Sequence, residues 1–212
     1  AGKLDNKQAP CVFFFVRHFN DVDHLTPVAY KLCESNRGRP MVVISEPLDE
    51  LQGDYRLRYL QDEFGVVVKS MFLLHPVAPF IGWLAAALRL KIWRRFLHRE
   101  RQFCLRALRK VFYGKRWAGK VLDRYQPAVM VFEWGRLSGT FGEVASSRGI
   151  PTISLPHGMT IWTNELVTRR EQQAAQLDDR DYVNRFNRVV YQSRLAASRS
   201  VKEGVRPEKI AV

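Results

Sequence analysis

Short apolar runs alternate along this chain with stretches of helical periodicity, and that alternation constrains the fold more than any other feature. It is the pattern of βαβ units closing on a parallel sheet. Six strands are expected: Cys11 to Val16 (CVFFFV), Met41 to Ile44, Val66 to Lys69, Val129 to Phe132, Pro151 to Leu155 and Arg188 to Gln192. Between the first two, Thr26-Pro27 reads as an N-cap followed by Pro at the first helical position, with Val28, Ala29, Leu32 and Cys33 as the buried face and a stop near Asn36 to Gly38. Leu51 to Phe64 and most of residues 80 to 124 read as helix, and Leu137, Phe141, Val144 and Ala145 mark another that Gly149 ends. After a short helix at Ser198 to Glu203, GVRPEKIAV becomes an extended apolar segment up to Val212. The fold expected is α/β, a Rossmann-like parallel sheet of about six strands flanked by helices, with a helical basic-aromatic insertion at 71–120. No linker, repeat or low-complexity tract divides the chain, so residues 1–212 are taken as one domain.

At 212 residues with 46% hydrophobic and 26% charged residues, the chain can bury a sizeable core and is neither disordered nor collagenous. No stretch of 18 apolar residues is free of Pro, Gly and His, so a plain transmembrane span is not expected. The three cysteines, Cys11, Cys33 and Cys104, show no CxxC spacing, which fits neither a disulfide framework nor a structural zinc site. A reducing, cytoplasmic setting follows, and AGKLDNKQAP lacks the basic-then-apolar pattern of a signal peptide.

The charge is concentrated. Arg89 to Lys120 holds 12 of the 34 Lys and Arg but one of the 21 Asp and Glu, a net +11 in 32 residues against +2 for the rest. Leu90, Trp93, Leu97, Cys104, Leu108 and Val111 form one face of a helix in that segment. Upstream lies the apolar run Met71 to Leu88, and downstream Phe112, Tyr113 and Trp117 sit among Lys115, Arg116 and Lys120. Aromatic rings bordered by Arg and Lys suit the headgroup zone of a bilayer, with Trp93, Arg94, Arg95, Phe96, Arg109 and Trp117 as the contacts. The plainer alternative is an apolar stripe packed on the core with solvated arginines. Nucleic acid is not expected as a partner, because no helix-turn-helix, zinc-finger or RNA-recognition pattern accompanies the charge.

In an open parallel sheet, ligands bind beyond the carboxyl ends of the strands. There the chain places Arg17-His18, Ser45-Glu46, a segment leading to His75, Glu133-Trp134-Gly135-Arg136 and Pro156-His157-Gly158. The densest cluster is the stretch Arg17 to Pro27, read as a loop before a helix N-terminus. Arg17 and His18 can hold a phosphate or carboxylate, and Asp21 or Asp23 can accept a proton from a sugar hydroxyl beside His24, with Asn20 as a further contact. The same residues also suit Asx turns and caps, and their contiguity is weak evidence for a metal. In LPHG, His157 can act as a general base and Gly158 leaves room for a ligand. Glu133, costly if buried unpaired, should meet Arg136, a histidine or a ligand hydroxyl. GRLSGTFG matches neither GxGxxG nor GxxxxGK[ST], and no GxSxG, HExxH or CxxC occurs, so dinucleotide, P-loop, serine-hydrolase and zinc chemistry are not encoded visibly.

Taken together, VRHFNDVDHLTPVAYKL, GIPTISLPHG and GVRPEKIAV resemble the N-terminal half of GT-B type glycosyltransferases and related surface (capsular) polysaccharide enzymes. The resemblance implies an acceptor-side Rossmann-like domain whose nucleotide-binding partner domain follows the G-V-x-P-E-K-I segment and lies outside this chain, so that the chain alone is inactive. It implies no cofactor, a nucleotide-activated sugar or polyol as donor, a lipid-linked or glycan acceptor, and a cytoplasmic site at the inner membrane face. The proposed base of similar capsule-polymer transferases carries over to His157 alone, and the Asp21, Asp23 and His24 stretch would line the acceptor side. The 71–120 insertion carries no motif of that family. A nucleotide-sugar 2-epimerase of the same fold, or a non-catalytic membrane-docking module, are the alternative expectations.

Overall fold

The structure, a computed structural model, describes residues 9–16, 19–44, 51, 53–74, 114–133, 140–155, 183–202 and 204–212. In chain order these form β1 (Cys11–Val16), α1 (Phe19–Glu34), β2 (Arg39–Ile44), α2 (Tyr55–Phe64), β3 (Val67–Ser70), α3 (Lys115–Tyr125), β4 (Val129–Glu133), α4 (Thr140–Ser147), β5 (Thr152–Leu155), β6 (Arg188–Val190), α5 (Arg194–Lys202) and β7 (Ile210–Ala211). Short 3₁₀ turns cover Met71–Leu74 and Pro207–Lys209. The strands make one all-parallel sheet in the order β3-β2-β1-β4-β5-β6-β7. This is the Rossmann-like α/β sheet expected from the alternation, and the extended segment that closes the chain supplies a seventh strand, Ile210–Ala211.

All six residues of β1 are buried, as a strand covered on both faces requires. Alternate side chains serve different helix layers. Cys11, Phe13 and Phe15 pack with Met41, Val43, Met130, Phe132 and the apolar faces of α3 and α4. Val12, Phe14 and Val16 pack with Val42, Ile44 and Val131 against Val22, Leu25 and Ala29 of α1 and Leu57 and Leu60 of α2. Phe15 stacks on Phe132 at 4.9 Å, with the rings 8° from parallel, and leans on Phe141 at 5.1 Å.

The local signals explain most element ends. Asp54 caps α2 by accepting the Arg56 backbone N–H at 2.9 Å, and Gly65 closes it in the left-handed region at φ 66°. Gly149, at φ 68°, ends the turn after α4. One start is different from expectation: α1 begins at Phe19 instead of Thr26, so Pro27 lies inside the helix. Val22, Leu25 and Ala29 supply a stripe that packs on the sheet, and Asp21 complements the dipole of the first turn. That packing carries the helix through a proline that has no N–H for the carbonyl of Asp23. Likewise α5 starts at Arg194, ahead of Ser198, and the other strand ends shift by a residue or two.

Candidate functional site

The strand order reverses between β1 and β4, since β1 pairs with β2 on one side and β4 on the other. The chain leaves β1 for one helix layer and β4 for the other, which opens a crevice at their carboxyl ends. The register pairs Phe14 with Val131 and Glu133 with Leu155; continued along β1, it sets Val16 level with Glu133. The backbone of Glu133 therefore ends β4 at this switch point. Arg17, His18, Gly135, Arg136, His157 and Gly158 lie outside the described residues, as do Ser45, Glu46 and His75. By sequence, Arg17 follows β1 directly and His157 is two residues past the end of β5.

The cluster read as one loop is divided by the first turns of α1. Asp21 faces the sheet and is 1% exposed, whereas Asp23, two residues on, sits roughly 200° around the helix. Asn20 is exposed and His24 half-buried. Asp23 forms an ion pair with Arg56 of α2, which itself grips Asp54 through Nη2–Oδ2 at 2.6 Å and Nε–Oδ1 at 2.9 Å. Asp23 thus bridges α1 to α2. Among the described residues, no three His, Cys, Asp or Glu side chains gather as a metal site.

Asp23 lines an open groove of about 380 Å³ with Thr26, Pro27, Tyr30, Tyr55, Arg56 and Tyr59. These tyrosines and Arg56 were not singled out in the sequence. The signal was there, because Tyr55 and Tyr59 fall four apart on α2 and remain 76% and 49% exposed.

Two sequence features turn out to be architectural. In GVRPEKI, the Lys209 ammonium donates to the carbonyl of Phe186 at 2.8 Å and to that of Asn184. Asn184 in turn accepts the Arg206 N–H at 3.0 Å and donates to the Gly204 carbonyl at 2.9 Å. The segment pins the turn that feeds β6, on the edge of the sheet opposite the crevice. Trp117, expected at a membrane surface, is 6% exposed in the core and meets Phe141 edge-on at 5.0 Å. The cause is the register of α3, whose stripe Trp117, Ala118, Val121 and Leu122 packs on the sheet. Trp93, Arg94, Arg95, Phe96 and Arg109 lie outside the described residues. No helix among the described residues is long and apolar enough to cross a membrane.

No protein-family model matches the chain. No curated protein matches it either. Solved structures do: MnaA of S. aureus with UDP at 12% identity and TM-score 0.53, over 96% of this chain and 43% of that one. The UDP-GlcNAc 2-epimerase of Neisseria meningitidis bound to UDP-GlcNAc matches at 13% and 0.51, over 95% and 45%. HepE of Anabaena with UDP and glucose matches at 13% and 0.50, over 96% and 43%. The chain spans less than half the length of these proteins, and at such identity the likeness establishes the Rossmann-like fold.

Proposed function

We propose that this chain is the acceptor-side half of a two-domain, GT-B type glycosyltransferase that moves a sugar, or a polyol phosphate, from a nucleotide-activated donor to a membrane-associated glycan. The observation that carries the reading is the all-parallel order with its switch point between β1 and β4, in a chain that overlays almost completely on less than half of proteins solved with UDP or UDP-GlcNAc. The residues quoted above as resembling glycosyltransferases add the strand-end histidine.

For sugar transfer, His157 or Asp23 takes the proton of an acceptor hydroxyl as its oxygen bonds to the anomeric carbon. The bond from that carbon to the nucleotide oxygen breaks, and the nucleotide leaves with the electron pair. Arg17 and His18 hold a phosphate or carboxylate of the acceptor. Glu133 and Arg136 orient hydroxyls, while Gly135 and Gly158 leave room for the ligand. Asn20, Asp21 and His24 in the opening turns of α1 support the acceptor side. Trp93, Arg94, Arg95, Phe96 and Arg109 dock the domain on an anionic, inner membrane face.

The test is nucleotide release by the full-length protein from a panel of activated sugars, with and without membrane extract. The proposal expects release that needs extract. The second reading, a nucleotide-sugar 2-epimerase, is favoured by the Neisseria meningitidis likeness, and expects turnover of the nucleotide sugar alone.

A further inference from the structure

The two helix layers differ in charge, and they lie on opposite faces of the sheet. The apolar sides of α3, α4 and α5 share one core cluster with Phe13 and Phe15, and those of α1 and α2 share the other with Phe14 and Val16. On α3, α4 and α5 seven Lys and Arg stand against two acids, Asp123 and Glu143, a net +5. On α1 and α2 three stand against five, a net −2. With Glu203, the residue after α5, the first layer is still at +4.

Both acids of the basic layer are matched inside it, Glu143 by Lys115 at 2.9 Å and Asp123 by Arg148, just after α4, at 2.6 Å. The field this layer presents therefore comes from Arg116, Lys120 and Arg124 of α3 and from Arg194 and Lys202 of α5, all exposed. Burial of Trp117 and Val121 on α3 and of Ala197 on α5 turns those cations outward. Such a surface selects a polyanion.

Exposed apolar side chains decide which polyanion. Leu195 is 80% exposed and Val201 38%. Leu195, Arg199 and Lys202 fall at i, i+4 and i+7 on α5 and so share one line along the helix, with Arg194 next to it. A leucine among cations suits a bilayer surface, where the apolar side chain enters the boundary between headgroups and acyl chains while Arg and Lys reach the lipid phosphates. A nucleic-acid backbone offers no apolar layer of that kind.

We propose that the α3–α5 layer is the face by which this domain lies on an anionic phospholipid surface, with Leu195 inserted and the acidic α1–α2 layer turned away. This rests on the membrane-associated acceptor of the reading above and adds to it a face and an orientation. The sheet then lies along the bilayer, and the crevice beyond β1 and β4 opens sideways, in the plane where a lipid-linked glycan arrives.

The test is sedimentation of the full-length protein with phosphatidylglycerol–phosphatidylcholine vesicles, beside vesicles of phosphatidylcholine alone and a DNA duplex. Binding to the anionic vesicles is expected to exceed both and to fall with added salt. Arg194→Glu with Lys202→Glu should weaken it at least about tenfold, the scale of two lost cation contacts, and Leu195→Ser should weaken it too. These side chains are exposed, so an unchanged melting curve shows that the variants fold. A polarity-sensitive dye on Leu195→Cys, with Cys33 and Cys104 replaced by Ser, should shift to the blue on anionic vesicles, whereas the same dye on Tyr55→Cys, in the opposite layer, should not. Equal binding to phosphatidylcholine alone, tighter binding to the duplex, or a shift at position 55 and none at 195 would each overturn the proposal. Sedimentation that persists with no shift at 195 refutes this face and leaves the membrane-associated acceptor standing, whereas nucleotide release that never needs membrane extract refutes that acceptor itself.

Discussion

Replacing Lys209 with Met separates an architectural role of the GVRPEKI segment from a ligand-contacting one. The substitution keeps an apolar stem of similar length and deletes the ammonium that donates to the carbonyls of Asn184 and Phe186. A hydrogen bond from a charged donor contributes about 1.5–3 kcal/mol net. Two are lost, but the variant also escapes the cost of burying the charge, a cost visible in the Lys209 pKa, which is held below its usual value chiefly by desolvation. The expected net loss is about 2 kcal/mol, or roughly 4–8 °C in Tm for a domain of this size. Urea and thermal unfolding with an unchanged m-value measure it. Asn184→Ala should cost about 1–2 kcal/mol for the two bonds its amide makes across the same turn. The double variant should deviate from additivity by more than about 0.5 kcal/mol, because both side chains secure one turn. A Lys209→Met protein of undiminished stability that no longer releases nucleotide would refute the architectural role and move the segment to the ligand.

Further perturbations follow from the same contacts. Trp117→Ala removes a ring packed against Phe141 in the core, so it should cost about 3–5 kcal/mol by urea titration. In the folded fraction, pelleting with anionic vesicles should be unaffected, whereas Arg94→Glu with Arg109→Glu should abolish it. Asp54→Ala deletes the α2 cap and two bonds to Arg56, and should lower stability by about 2 kcal/mol while slackening the Asp23 side of the groove, as read by chemical denaturation. Burial, the largest cause, pushes the Cys11 thiol above its usual pKa of 9.0 despite Arg39 nearby. The unfolded chain then loses this proton first as pH rises. Stability from this group is complete below pH 9.0 and falls from there through the raised native pKa, and Cys11→Ala should remove that part of the alkaline slope.

The fold was legible because its signals are redundant. CVFFFV can only be a strand covered twice, and Asp54, Gly65 and Gly149 mark helix ends by local geometry. What the alternation left open was how the two faces of β1 divide, which only the sheet order reveals. The site was less legible for a physical reason. Asp21 and Asp23 look equivalent in a loop, but a helix that runs through Pro27 turns one to the core and the other to Arg56. Propensity argued for a start at Thr26, and tertiary packing of Val22 and Leu25 overrode it. Trp117 shows the same limit, since a ring among basic residues reads as surface until the helix register is known. The tyrosine groove escaped notice because its walls come from two elements, and neither sequence segment contains it.

The most direct test of the proposed transferase is nucleotide release from activated sugars by the full-length protein and its His157→Ala variant, with and without membrane extract. Release that depends on extract and falls at least about a hundredfold in the variant, the scale of a lost general base, is the predicted result. Extract-independent turnover, or release that His157→Ala leaves intact, would contradict it.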